Sequence, residues 1–161
     1  MAVTLKITSN QKKVSKNYKK FQSVLSRVID KGVKQAGFQL LDIVRTKTQK
    51  GKDFNDRPFA QYSQSYLKQL NREGKSTKVD LFYTGRMMGS LTPSSAMKKT
   101  GKHKVTLGFS RAEERKKALF NQVLGNPKRE FFNFNNPTER IIQKQFNRFV
   151  EKELKKARIW A

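Results

Sequence analysis

The chain has 161 residues, which suits one domain. Its 12 Phe, 4 Tyr and 1 Trp are too many large apolar groups for a wholly disordered polymer. It carries 36 Lys+Arg against 12 Asp+Glu, a net charge of +24, so an isolated monomer repels itself and a polyanion or acidic partner is expected beside it.

Other classes fall away on composition. The absence of Cys excludes disulfides, thiolate metal sites and Cys nucleophiles. A single histidine, His103, cannot build the usual His/Cys zinc site within one chain. No stretch approaches the roughly 20 apolar residues of a membrane span. The first seven residues alternate apolar and polar and lack the apolar run of a signal peptide. Residues 1–60 hold 14 basic and 4 acidic groups, residues 61–111 hold 10 and 2, and residues 112–161 hold 12 and 6. The charge therefore belongs to a folded surface and not to one tail.

In chain order, Val3, Leu5 and Ile7 alternate with Thr4, Lys6 and Thr8, the period of a half-buried strand. Ser9 and Asn10 offer a turn or a cap. From residue 11 to 48 the apolar positions fall three or four apart, through Phe21, Val24, Val28, Gly32, Ala36, Leu40 and Val44. That spacing predicts one long amphipathic helix. Gly32 and Gly37 either admit another backbone or mark a kink. Ser63 is placed to cap a short helix bearing Tyr66, Leu67 and Leu70. Residues 71–78 read as a polar loop, and residues 81–91 as a helical turn that Pro93 stops. Residues 94–98 and 104–109 predict a β-hairpin around Thr100, Gly101 and Lys102. Residues 111–124 predict a helix with Ala118, Leu119, Gln122 and Val123 toward the core and Gly125 as its stop. In the last helix Asn136 caps, Pro137 opens, and Ile142, Phe146, Phe149 or Val150, and Leu154 form the apolar face. Lys155, Lys156 and Arg158 suit the negative end of its dipole.

The expected fold class is α+β: a small antiparallel sheet packed against long amphipathic helices. A single domain would span residues 1–161. It divides into a strand and long basic helix (1–50), a loop-rich middle (51–92), and a hairpin with the C-terminal helices (93–161).

No catalytic constellation stands out. The carboxylates are scattered, and Gly85 and Gly89 beside Thr84 do not make a phosphate loop. His103, between two lysines, reads as an ordinary surface residue. Tyr62, Tyr66 and Tyr83 lack the surrounding pattern of a tyrosine nucleophile. No enzyme, cofactor or metal is expected. The clearest cluster is basic: Lys12, Lys13, Lys16, Lys19, Lys20, Lys31 and Lys34 lie on the long helix, with Tyr18 and Phe21 interleaved. Three readings stand: sequence-neutral contact with phosphates, a merely solvated face, or docking to an acidic protein. Phe131, Phe132 and Phe134 read as core or interface residues and not as base-stacking ones.

Five segments occur in a suggestive order. Residues 51–66 end in Tyr62-Ser63-Gln64-Ser65-Tyr66, and residues 79–91 contain Leu81, Thr84-Gly85, Met87 and Leu91. A strand ends at Leu107-Gly108-Phe109; then come Asn121-Gln122 with Gly125, and Arg129 with Phe131. The arrangement resembles the tail-completion and virion-morphogenesis proteins of tailed bacteriophages, the neck-protein superfamily. One departure is Asn121, where some relatives have His before the Gln. The resemblance implies a structural virion protein. Its copies would form a ring, often a hexamer, that joins the head connector or adaptor to the tail tube or tail terminator, with double-stranded DNA in the lumen. It also implies location in the virion neck after assembly in the host cytoplasm. The alternative is a free, sequence-neutral nucleic-acid-binding protein. In a ring, the basic residues would face the DNA or acidic neighbours. Phe54, Phe59, Tyr62, Phe132 and Phe134 are then the candidate subunit contacts, because like charges repel and apolar contacts must supply the cohesion.

Overall fold

The computed structural model describes residues 11–157, and side chains from Val14 onward. The expected strand over residues 3–7, the turn at Ser9-Asn10, the side chains of Lys12 and Lys13, and Arg158 lie outside the described residues.

Helix α1 (Gln11–Gln49) runs unbroken for 39 residues. Nothing in it stops a helix: it has no proline, and its two glycines each weaken it by only about 1 kcal/mol. Neither glycine marks a break or a backbone crossing. A Cβ on Gly32 would sit 2.7 Å from the Phe146 ring, and one on Gly37 would sit 2.8 Å from Met97 Sδ. Large side chains of other elements thus fill the space each glycine leaves. The two lie on different sides of α1, about 140° apart at 3.6 residues per turn. The helix therefore presents one side to α6 at Gly32 and another to the hairpin at Gly37.

After α1 the chain reverses at Gly51, whose φ of +76° favours glycine. Asp53 accepts the amides of Asn55 and Arg57 at 2.8 Å each, holding a tight loop. Helix α2 (Gln64–Arg72) is capped as its sequence predicts, with Ser63 Oγ accepting from the Tyr66 amide at 3.3 Å. Helix α3 (Arg86–Gly89) has Gly85 at its N-cap with φ +69°. Thr84 makes no capping bond there; the left-handed glycine and the nearby Phe82 ring set the turn.

Pro93 does not stop a helix; it opens one. Thr92 Oγ accepts the Ser95 amide at 3.3 Å, and Pro93 takes an early helical position in α4 (Pro93–Ala96). A missing amide is harmless there, because first-turn amides have no helical acceptor. The hairpin consequently starts later than its sequence suggests, as β1 (Met97–Gly101) and β2 (Lys104–Leu107). The strands pair antiparallel, with Met97 opposite Leu107, Lys98 opposite Thr106 and Lys99 opposite Val105.

Helix α5 (Ala112–Leu119) leads into a wide π-helical turn (Phe120–Leu124). Gly125 follows it in an extended conformation, φ −70°, so it is no left-handed stop. Its need for glycine is steric: a Cβ would lie 2.8 Å from the Phe120 carbonyl oxygen. Helix α6 (Asn136–Lys156) closes the fold. Its cap is Asn135, one residue earlier than expected, whose Oδ1 accepts the Thr138 amide at 3.0 Å.

The molecule is α+β, with two packed regions sharing α1. In the head, Leu41 and Val44 of α1 pack with Phe59, Met88, Leu91 and Phe131. In the stalk, α6 runs back along α1 from the level of Leu40 to Gly32 and beyond. Phe134, just before α6, lies by Leu40 and Leu41, and Phe146 and Phe149 lie on Gly32.

Candidate functional surfaces

The stalk carries the basic surface. Lys16, Lys19, Lys20, Lys31 and Lys34 are all exposed, and exposed Arg27 lies among them. At 100° per residue they fall within about 120° of the helix circumference. Val28 and Gly32, which face α6, are buried.

A second basic row escapes a reading of the sequence for lysine clusters. Arg140, Lys144, Arg148 and Lys152 recur every four residues along α6 and are exposed, with Lys155 and Lys156 continuing the surface. Their spacing is the missed signal. Consecutive cations four residues apart rise about 6 Å, so the row spans about 18 Å along one side of the helix. Ile142, Phe146 and Phe149 are half-buried on the other side, toward α1. Apart from Lys156, bound to Glu153 at 2.7 Å, none of these described cations has a carboxylate within ion-pair distance. The Lys156 hydrogen bond holds the Glu153 carboxyl below its usual range.

Asp30, the acid on this part of α1, is occupied elsewhere. Its carboxylate accepts Lys99 Nζ at 2.5 Å and the His103 amide at 3.0 Å, and lies 2.9 Å from His103 Nδ1. The Lys99 hydrogen bond first, and the His103 amide second, hold the Asp30 carboxyl down to about 2. His103 is therefore no free surface residue. It is half-buried at the hairpin turn with φ +56° and ties the turn to α1.

The head carries the other surface. A groove of about 540 Å³ opens between the start of α2, the segment before α3 and the π-helical turn. Seven of the eleven motif residues line it: Tyr62, Ser63, Leu81, Thr84, Gly85, Met87 and Arg129. The other four lie deeper or brace it. Leu91 and Phe131 are buried, Gly125 closes the π turn, and Gln122 clamps the Phe132 backbone. That clamp is reciprocal: Gln122 Nε2 donates to the Phe132 carbonyl at 3.1 Å, and its Oε1 accepts the Phe132 amide at 2.9 Å.

The groove wall is aromatic. The Tyr62 and Tyr66 rings meet edge-on at 4.9 Å, and the Tyr66 and Tyr83 rings lie 6.4 Å apart. Arg129 sits 5.0 Å from the Tyr62 ring and donates to the Ala60 and Gln61 carbonyls. Lys75 lies 3.5 Å from the Tyr83 ring. Glu73 accepts from Lys75, Tyr83 Oη and Gln69; these bonds, Lys75 foremost, hold its carboxyl down to about 2. Burial pushes the Tyr62 and Tyr66 phenols up from their usual value, so they stay protonated at neutral pH. A tyrosine nucleophile needs the opposite shift.

Beside the groove, Leu119, Phe120, Val123 and Leu124 are exposed. Leu119 and Val123 thus do not face the core as the helical pattern suggests. Leu119 ends α5 one residue past buried Ala118, about 100° around the helix from it, and Val123 lies within the π turn. Among the candidate subunit contacts, Phe59 is a core residue at 5% exposure and offers no face to a neighbour. Phe54, Tyr62 and Phe132 are half-buried, and Phe132 packs on Phe109 at 5.4 Å. Phe134 alone of the five is exposed, at 46%.

Comparison with protein-family models, curated proteins and solved structures finds no match for this chain. Among the described residues, no helix is long and apolar enough to cross a membrane.

Proposed function

We propose that the chain is a structural protein of a tailed-phage virion, a ring-forming tail-completion or neck component around the DNA path between head connector and tail. The observation that carries this reading is the stalk: two helices display cations that carboxylates leave unpaired, while their apolar faces are spent on each other. Such a surface attracts phosphate without reading bases, because phosphate contacts hold no sequence information. DNA held so can slide. The motif resemblance supplies the phage assignment, and the convergence of its residues on one groove supports an assembly role for that groove. The exposed Leu119, Phe120, Val123 and Leu124 supply apolar area for subunit or neighbour contacts, which like-charged copies need.

The four-residue period of the α6 cations also favours a second reading, a free and sequence-neutral DNA-binding protein. One set of measurements separates the two. Binding of the full chain to duplex DNA should weaken steeply with salt. Replacing Arg140, Lys144, Arg148 and Lys152 by Gln should reduce the slope of log K against log salt by about 0.9 for each phosphate no longer neutralised, up to about 3–4 in all. An unchanged slope removes the α6 row from DNA contact in both readings. Presence in purified particles, with loss of DNA retention when Lys16, Lys19, Lys20, Lys31 and Lys34 become Glu, supports the neck assignment. Absence from particles supports the free binder.

A further inference from the structure

The hairpin has an open side. The amide of Gly108 donates to Ala96 O, so residues 96 and 108 form a hydrogen-bonded pair. Two residues further along the ladder, Lys98 and Thr106 form the next such pair. Val105 and Leu107 alternate with these, so their backbone N–H and C=O groups point away from β1. Among the described residues no hydrogen bond reaches that edge. An apolar groove of about 350 Å³ lies along it, walled by Leu40, Leu41 and Val44 of α1 and by Phe132 and Phe134. An unpaired edge beside an apolar trough is a template for one more strand.

We propose that residues 3–7 of a second copy of this chain add to the free edge of β2. The segment has the right pattern: Val3, Leu5 and Ile7 would face the trough, and Thr4 and Lys6 would face water. Its strand of five residues matches the four of β2. It adds one charge, Lys6, to a molecule already at +24.

The donor must be another copy, because the chain's own segment cannot reach. Gly37 lies against Val105 and Leu107, and α1 is continuous from Gln11 past that point. The separation along α1 is 26 residues, about 39 Å. Ile7 is four residues from the start of α1 and extends at most about 14 Å from it. Residues 3–7 therefore cannot lie along their own β2. A donor at one end of the molecule and an acceptor partway along it make a head-to-tail contact, which closes into a ring or runs on as a filament. The edge, the trough and the reach carry this proposal independently of the phage and DNA readings.

The test uses the full chain, whose lack of Cys leaves introduced thiols unambiguous. Light scattering should give a mass above one chain for the wild type. Leu5→Asp with Ile7→Asp should reduce it to a single chain, with the helical circular dichroism unchanged. In a second arm, a Thr106→Cys chain is mixed with a Thr4→Cys or Lys6→Cys chain and oxidised. A disulfide-linked heterodimer with at least one of the two supports strand addition between copies. A wild type that stays a single chain overturns the proposal. So does a double-Asp variant that keeps the wild-type mass, or a mixture that gives no heterodimer with either donor.

Discussion

Two stretches of α1 belong to one helix but solve different problems. The last turns, at Leu41 and Val44, sit in a core where Leu41, Met88, Leu91 and Phe131 are each at most 2% exposed. The stretch around Gly32 meets α6 through half-buried Phe146 and Phe149, with charged side chains along the flanks. The head is thus held by fully buried side chains and the stalk by half-buried ones packed between two helices. Burial strength and surface charge trade off along the helix: where α1 is exposed enough to display lysines, little remains for packing.

Three substitutions probe that contrast. The largest effect is expected from Phe131→Ala, which empties the middle of the head and should cost about 3–5 kcal/mol, read as a lowered denaturation midpoint. Next, Gly32→Leu forces a side chain into the Phe146 ring and should cost about 1–3 kcal/mol. It should speed amide exchange in α6 while leaving the slowest amides of the head protected. A uniform loss across both regions would show that stalk and head unfold together. The smallest effect is expected from Asp30→Asn. The Asp30 carboxyl sits at about 2 against 3.8 for a free side chain, so its stabilising contribution is complete above about pH 4 and is lost as pH falls through about 2. The Asn variant should flatten the stability profile in that window, with faster exchange at the His103 amide.

Local signals gave a good account of the helices. The spacing of apolar residues located α1, the Ser63 cap located α2, and Asn-Pro located the start of α6 to within one residue. What stayed hidden depended on neighbours distant in sequence. The change of buried face along α1 is set by α6 and the hairpin, which no local window contains. Pro93 can stop one helix or open another, and Thr92 decides which. Leu119 and Val123 are exposed because the core takes only Ala118 from this face, and the apolar period carries no mark of how narrow that contact is. His103 reads as a surface residue because its partner, Asp30, is 73 positions away. The basic face of α1 was legible from lysine spacing. The α6 row was equally legible but is split between Arg and Lys, so it did not stand out as a cluster.

The continuity of α1 has a geometric consequence for any assembly of this chain. A helix resists torsion because each turn is bonded to the next, so the bearing of the lysines is locked to the bearing of the head core. Once the head of one copy is seated, no linker remains to let its stalk swivel. In a symmetric assembly a single docking angle would therefore aim every copy's charges alike, toward the axis or away from it. One substitution that rotated the head on its neighbour would turn the electrostatic lining of the whole.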